Sequence, residues 1–323
     1  MNQPVIPIFF ACDDAYAPFL GVALTSILEN ASPAYFYRVH ILTSGFRPSV
    51  EQRLLACKTP NSEICMENMT ARLKAVAASL HTRDYYSVAT YYRLFIAEIF
   101  TQYDKVLYID ADTVVPGDVS ELYNTRLGNH LVAAVQEDVM SMEPVFGRYV
   151  EEVLGVPRAD CFNAGVLVMN LRAFRAQRIQ AQFLQLLQHR RFVVTQDQDY
   201  LNVLCRHRVK RLGWTWNKTP CDRVSGPVVH PSLVHFKLLW RPWKDVGLPY
   251  EDLFWQYADK CGFAAELRAM QQSYTDADRM QDLAGYRRLM RTAQEAIDDC
   301  KHAEQALFEA EAQPAYGDRV CAI

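Results

Sequence analysis

The 323-residue chain is long enough to bury a substantial core, as one large domain with an appendage or as two smaller ones. Half of its residues are apolar, 22% are charged and the formal net charge is -3, so no basic excess is available to neutralise a nucleic-acid backbone. No stretch is apolar for long enough to cross a bilayer, and Met1–Phe10 lacks a basic region and meets Pro4 and Pro7 early, which reads as the approach to a strand and not as a signal peptide.

In chain order, Val5 to Cys12 is a short apolar run with β-branched and aromatic residues, and Tyr16 to Asn30 carries apolar residues at helical spacing, giving a strand and then a helix. Phe36 to Thr43 reads as a second strand, Pro48 to Cys57 as a helix and Glu63 to Asn68 as a third strand. Ala89 to Phe100 predicts a helix that leads into a strand at Val106. Leu131 to Val135, Gly165 to Asn170 and Ser232 to Phe236 read as further strands, and Leu171 to Arg190 as one helix. Such alternation predicts an α/β fold with a mostly parallel sheet. From about Ala264 the composition turns to Ala, Gln, Glu, Asp and Arg, and Tyr286, Leu289, Met290, Ala293, Ile297, Cys300 and Leu307 form one face of a long helix that stops before Pro314. That helix reads as packed on the main domain or on a second copy of the chain. The nine cysteines are odd in number and lack any C-x-x-C pair, which favours reduced thiols and a cytoplasmic protein.

Open α/β sheets bind ligands beyond the carboxyl ends of their strands. Two acidic pairs stand at such ends, Asp13-Asp14 and Asp110-Ala-Asp112, and neither a dinucleotide-binding nor a P-loop glycine pattern follows the first strand. In VLYIDADTVV the two aspartates share one side of the chain and can converge on a divalent cation of the Mg²⁺ or Mn²⁺ kind, with Ala111 turned away. The same ten residues satisfy the D-x-D-x-[TV] pattern of aspartyl phosphatases, in which the first Asp attacks phosphorus; alone they do not decide between the two.

The rest of the chain does. Cys161-Phe-Asn-Ala-Gly-Val-Leu-Val-Met-Asn170, Thr195-Gln-Asp-Gln-Asp-Tyr200 and His235-Phe-Lys-Leu-Leu-Trp-Arg-Pro-Trp243 follow in order, with Ala11-Cys-Asp-Asp14 and Tyr91-Tyr-Arg93 ahead of them. This series, over about residues 5 to 243, resembles glycosyltransferase family 8, the retaining enzymes that include lipopolysaccharide glucosyl- and galactosyltransferases and glycogenin. The resemblance implies a GT-A fold, which would occupy 1–262, and transfer of glucose or galactose from a UDP-sugar to a glycan or glycolipid acceptor; the tail lies outside the resemblance, and its composition makes 263–323 a helical extension.

By that similarity, Asp110, Asp112 and His235 would hold Mn²⁺, with Mg²⁺ as the alternative. Asp13, Tyr16 and the Ala11 backbone would receive the uracil, the Ala111 backbone would lie against the donor, and Arg93 would bridge to the sugar or to the metal-binding aspartates. Asn163, Ala164 and either Glu137 or Asp138 would face the sugar, and Arg241, or Lys237, would meet phosphate. Gln198 would stabilise oxocarbenium character, with Asp197 as the carboxylate of a rival covalent route. Acceptor contacts would come from Met140 to Asp160 and Thr215 to Val229. Three positions depart from the family pattern, Ala15 in place of Asn, Leu238 in place of Gly and Arg241 in place of Lys, and the first two motivate the alternative of a UDP-sugar-binding protein impaired in transfer. A self-glycosylating enzyme with Tyr316 as acceptor is a second alternative. A cytoplasmic enzyme, peripheral at the inner membrane face where its acceptor is a glycolipid, is the expected setting.

Overall fold

The computed structural model describes residues 3–77, 80, 87–221 and 225–312, with side chains for all of these except 141–142 and 303–312. The first half is built by strand and helix in turn: β1 (Val5–Ala11), α1 (Ala17–Glu29), β2 (Phe36–Thr43), α2 (Pro48–Leu55) and β3 (Ser62–Asn68). A 3₁₀ helix over Val88–Phe95 and one α-turn over Ile96–Ile99 then lead into β4 (Lys105–Ile109). These replace the single helix expected over Ala89 to Phe100. After β5 (Thr113–Val114) come β6 (Val132–Gln136) and β7 (Phe162–Asn170), then α3 (Leu171–Ala176), α4 (Ile179–His189), α5 (Asp197–Leu204), β8 (Val209–Arg211) and β9 (Val234–His235). The described residues close with α6 (Glu251–Ala258), α7 (Ala264–Ser273) and α8 (Asp276–Ala312).

Seven strands form one sheet in the order β3-β2-β1-β4-β7-β6-β8. All pairings are parallel except those of β7, which runs antiparallel to both β4 and β6. Alternate residues feed the two faces: Phe9 joins the core on one side, while Ile6, Ile8 and Phe10 join the core on the other. Being covered on both faces, the strands carry the nearly continuous apolar runs seen in the sequence. The expected helix over Leu171 to Arg190 is two helices, because Arg178 takes a left-handed backbone (φ 55°) between them.

Because β7 is reversed, it brings the Asn163–Gly165 segment beside the carboxyl end of β4, where the Asp110 N–H donates to the Gly165 carbonyl at 2.7 Å. The small β5–β9 ladder brings His235 to the same place from the other side, pairing it with Thr113. Helix α8 lays Leu289, Ala293 and Ile297 into the core on the α3–α5 side of the sheet. The apolar face read from the sequence is thus used within the chain, and it gives no support to self-association through that face. No described helix is long and apolar enough to cross a membrane.

Candidate active site

A cavity opens at the carboxyl ends of β1 and β4, the strand ends that carry the two acidic pairs. Ala11, Asp13 and Tyr16 form one end of it, and the Asp13 carboxylate accepts the N–H groups of Ala15 and Tyr16 at 3.1 and 3.2 Å, fixing the turn that starts α1. Asp14 points away and pairs with Arg47.

Asp110, Ala111 and Asp112 occupy the centre. One ligand atom from each of Asp110, Asp112 and His235 lies within 4.8 Å of the others. His235 Nε2 sits 3.1 Å from Asp112 Oδ1 and 3.9 Å from Asp110 Oδ2. Its other nitrogen, Nδ1, is 3.0 Å from Asn217 Oδ1. An amide oxygen accepts, so Nδ1 is the donor and Nε2 is the nitrogen that faces the two carboxylates. That arrangement calls for a cation between them, and an imidazole whose far nitrogen is anchored is how a metal-ligating histidine is usually held. Gly165 makes the room. A Cβ there would lie 2.3 Å from His235 Cε1 and 2.6 Å from Asp110 Oδ2, so the three ligands can converge only because this position has no side chain. One imidazole and two carboxylates suit Mn²⁺ better than Mg²⁺, which prefers all-oxygen surroundings.

Asp110 is itself held in place. Its Oδ1 accepts Tyr108 Oη and Arg93 Nη2, both at 3.0 Å. Arg93 is buried, stacks over the Tyr108 ring at 4.2 Å and donates Nη1 to the Ala164 carbonyl. Arg93 Nε lies 2.9 Å from Asp197 Oδ2 but donates its proton to the Thr90 carbonyl at 3.0 Å. The contact with Asp197 is therefore one of charge only, and Asp197 Oδ2 has no hydrogen-bond partner among the described residues. Burial pushes the Asp197 carboxyl up to about 7, because the pull of Arg93 offsets only part of the desolvation.

The wall opposite the aspartates is a buried polar chain. Asn163 joins Asn217 (2.8 Å) to Glu137 (2.6 Å), and Gln198 Oε1 accepts the Ala164 N–H at 2.9 Å. Gln198 is aimed by its helix: Asp199 accepts the Thr195 N–H at 2.9 Å at the start of α5, and Asn202 exchanges hydrogen bonds with the Phe162 backbone at 2.9 Å. With its carbonyl oxygen engaged by Ala164, Gln198 is poorly placed to act as a nucleophile. Lys237 closes this wall, 2.7 Å from Glu137 and 3.1 Å from Asp138. Burial works against the Glu137 charge, but the Lys237 ammonium and the Asn163 and Val139 donors outweigh it and hold the carboxyl at about 2. Of the two acids, Glu137 lines the cavity and Asp138 lies behind it, bonded to Thr219 at 3.2 Å.

Leu238 comes next along the chain, with φ 56°. The backbone keeps the left-handed conformation that glycine favours even though a leucine stands there. Arg241 lines the cavity from the same loop and donates to Asp282 of α8 at 2.5 Å. Asn217, Tyr108, Leu289 and Asp282 are site residues that no sequence motif points to. Only Tyr108 carries a signal, since it lies two residues before Asp110 on one strand and so shares its face.

An open α/β sheet with one reversed strand, carrying a D-x-D and a neighbouring histidine beneath a polar cavity, is the architecture of a GT-A glycosyltransferase. The family model for glycosyl transferase family 8 matches residues 7–247, and the chain belongs to that family. It is similar to a putative glycosyltransferase of Haemophilus influenzae, 28% identical over 221 residues that cover 67% of this chain and 64% of that one. The chain thus spans a little under two thirds of that relative's length. It is also similar to lipopolysaccharide 1,3-galactosyltransferase of Salmonella typhimurium, 27% identical and covering 70% of this chain and 69% of that one. Among solved structures, the galactosyltransferase LgtC in complex with donor and acceptor sugar analogs superposes with a TM-score of 0.65 at 25% identity, covering 80% of this chain and 96% of that one.

Proposed function

We propose that the protein is a retaining hexosyltransferase that moves glucose or galactose from a UDP-sugar to a glycan or glycolipid acceptor, with a divalent cation, Mn²⁺ in preference to Mg²⁺. The observation that carries this reading is the convergence of Asp110, Asp112 and His235 around Gly165. The similarity to lipopolysaccharide galactosyltransferase supports the substrate class.

The cation, when bound, supplies Lewis-acid stabilisation of the charge left on the departing diphosphate. Asp13 and Tyr16 receive the base, Ala11 and Ala111 offer backbone to the nucleotide, and Glu137, Asn163 and Ala164 face the sugar. As the bond from the anomeric carbon to the β-phosphate oxygen breaks, an acceptor hydroxyl bonds to the same face of that carbon and gives its proton to the departing phosphate. The Gln198 amide dipole lies beneath the ring and stabilises oxocarbenium character. The covalent route through Asp197 is disfavoured, since its Oδ2 lies 2.9 Å from the Arg93 guanidinium, which holds the carboxylate against a cation and blunts its attack. Residues 1–262 form the catalytic domain on this reading, with 263–323 as the helical extension; the enzyme works in the cytoplasm, at the inner membrane face where the acceptor is a glycolipid. Acceptor contacts would come from Met140–Asp160 and from Thr215–Val229, of which residues 222–224 lie outside the described residues. Tyr316, the acceptor in a self-glycosylating alternative, lies outside the described residues.

Calorimetry of UDP binding with and without Mn²⁺, followed by NMR assignment of the product anomer from UDP-glucose or UDP-galactose, tests the proposal. Affinity for UDP should depend on the cation, and the product should keep the α configuration of the donor. UDP binding indifferent to metal, or a β product, would sink it.

A further inference from the structure

The cations of the cavity differ in how completely they are neutralised. Arg93 faces two carboxylates, Asp110 and Asp197. Lys237 also faces two, Glu137 and Asp138. Arg241 instead shares a single carboxylate with a second cation: Asp282 Oδ2 lies 2.5 Å from Arg241 Nη2 and 3.1 Å from Lys244 Nζ, and the same oxygen accepts Tyr274 Oη at 2.7 Å. Arg241 thus shares its carboxylate with a second cation, where Arg93 and Lys237 each have two carboxylates to themselves. Arg241 Nε is buried and has no hydrogen-bond partner among the described residues.

The geometry of the contact also matters. A guanidinium and a carboxylate that serve only each other usually meet fork to fork through two parallel bonds. Asp282 takes Arg241 through one nitrogen and one oxygen, which leaves the Nε side of the fork free for another anion. The loop that carries Arg241 is fastened to the same helices at further points: Gln271 Nε2 donates to the Pro242 carbonyl at 2.8 Å, and Arg279 pairs with Asp245 at 2.9 Å. Leu289, two turns beyond Asp282 on α8, reaches the cavity wall itself.

We propose that Asp282 is a positioning residue of the donor site: from the C-terminal helix it anchors one end of the Arg241 guanidinium, so that the remaining donors, Nε included, are presented to the diphosphate of the nucleotide. The inference rests on the nucleotide-sugar reading above and adds that the helical extension sets phosphate affinity. An isolated buried N–H is expensive, so an anion acceptor at Nε completes what the protein leaves unfinished.

The test is calorimetry with UDP and Mn²⁺ on the wild-type protein and on Asp282→Ala, Asp282→Asn, Arg241→Ala and the Arg241→Ala/Asp282→Ala double variant. Uridine binding, followed by saturation-transfer NMR, and thermal melting serve as controls. Asp282→Ala should weaken UDP about tenfold, the scale of one charge-assisted hydrogen bond, and leave uridine binding unchanged. Asp282→Asn keeps an acceptor oxygen for Nη2 and should restore most of the affinity. In the Arg241→Ala background, loss of Asp282 should add almost nothing, since the two act as one unit. Tighter UDP binding by Asp282→Ala would overturn the proposal, because Asp282 would then be competing with phosphate for Arg241. Equal losses for UDP and uridine, or additive losses in the double variant, would reduce Asp282 to a helix-docking residue and also overturn it. A wild-type protein that binds no UDP would instead remove the nucleotide-sugar reading itself.

Discussion

Replacing Gly165 by alanine should abolish cation binding while leaving the protein folded. The added methyl would stand 2.3 Å from His235 Cε1, 2.9 Å from His235 Nδ1 and 2.6 Å from Asp110 Oδ2. Carbon atoms in contact prefer about 3.5–4.0 Å, so the imidazole would have to retreat by roughly 1 Å. It has little freedom to do so, being buried, paired through its backbone with Thr113 and tied at Nδ1 to Asn217. Metal–ligand distances tolerate only about 0.2 Å, so the displacement exceeds the tolerance severalfold and one ligand is lost. Disturbing a ligand's outer partner alone costs roughly 10–100-fold in metal affinity, and displacing the ligand should cost at least the upper end of that range. Overpacking should lower stability by about 1–3 kcal/mol, well short of unfolding a chain with cores on both faces of its sheet. Electron paramagnetic resonance titration with Mn²⁺ reads the affinity, and circular dichroism confirms the fold. A folded Gly165→Ala protein that binds Mn²⁺ like the wild type would refute the assignment of this corner as the cation site.

Lys237→Met strips the counter-ion from the buried Glu137 and Asp138 and should destabilise the protein by about 3–5 kcal/mol at pH 7. Glu137 is held at about 2, below its ordinary 4.5, so its favourable contribution in the wild type is present above pH 4.5 and fades as the pH falls toward 2. The gap between the two proteins in urea denaturation should accordingly narrow as the pH falls below 4.5, and a gap that stays constant between pH 5 and pH 2 would count against the pairing. Asp197 has the opposite sign: with its carboxyl raised from 3.8 to about 7, the native state holds a proton that the unfolded state has released, and stability declines as the pH rises through that interval. Asp197→Asn should flatten this decline in melting temperatures measured from pH 4 to pH 8, and an unchanged slope would show that Asp197 is ionised throughout.

How much of this is legible in the sequence depends on how local each feature is. The first five elements are readable to within two residues at every boundary, because period-2 and period-3.6 apolar patterns, Pro18 and Pro48 at helix starts and the polar turns between them are all written within a few positions of one another. The break at Arg178 leaves no trace, since a left-handed arginine between two helices is imposed by packing and not announced by Gly or Pro. β8 escapes detection because Val-Lys-Arg, three residues at a sheet edge, has no pattern to show. In the site, the aspartates and His235 stand in motifs, whereas Asn217 and Asp282 act across the fold: Asn217 is brought to His235 by the Lys218–Val234 bridge, and Asp282 reaches Arg241 from 41 positions away. Contacts set by chain crossings leave no periodicity.

On the proposed function, the charges around the cavity would make cation and nucleotide interdependent. Asp13, Asp110, Asp112, Glu137 and Asp197 line it against Arg93, Lys237 and Arg241, an excess of two negative charges with every carboxyl ionised and of one with Asp197 protonated. A diphosphate entering such a site meets repulsion in a region where charges are poorly screened. Two features lessen that repulsion, and they lie on different parts of the fold: the cation corner built by β4, β7 and β9, and the Arg241 guanidinium held from α8. A cation in the first raises the affinity of the diphosphate, and by reciprocity the diphosphate raises that of the cation by the same factor. The loop from His235 to Arg241 carries a residue of each feature six positions apart. Between them Leu238 takes a left-handed backbone (φ 56°), strain of the kind that collects at ligand clamps.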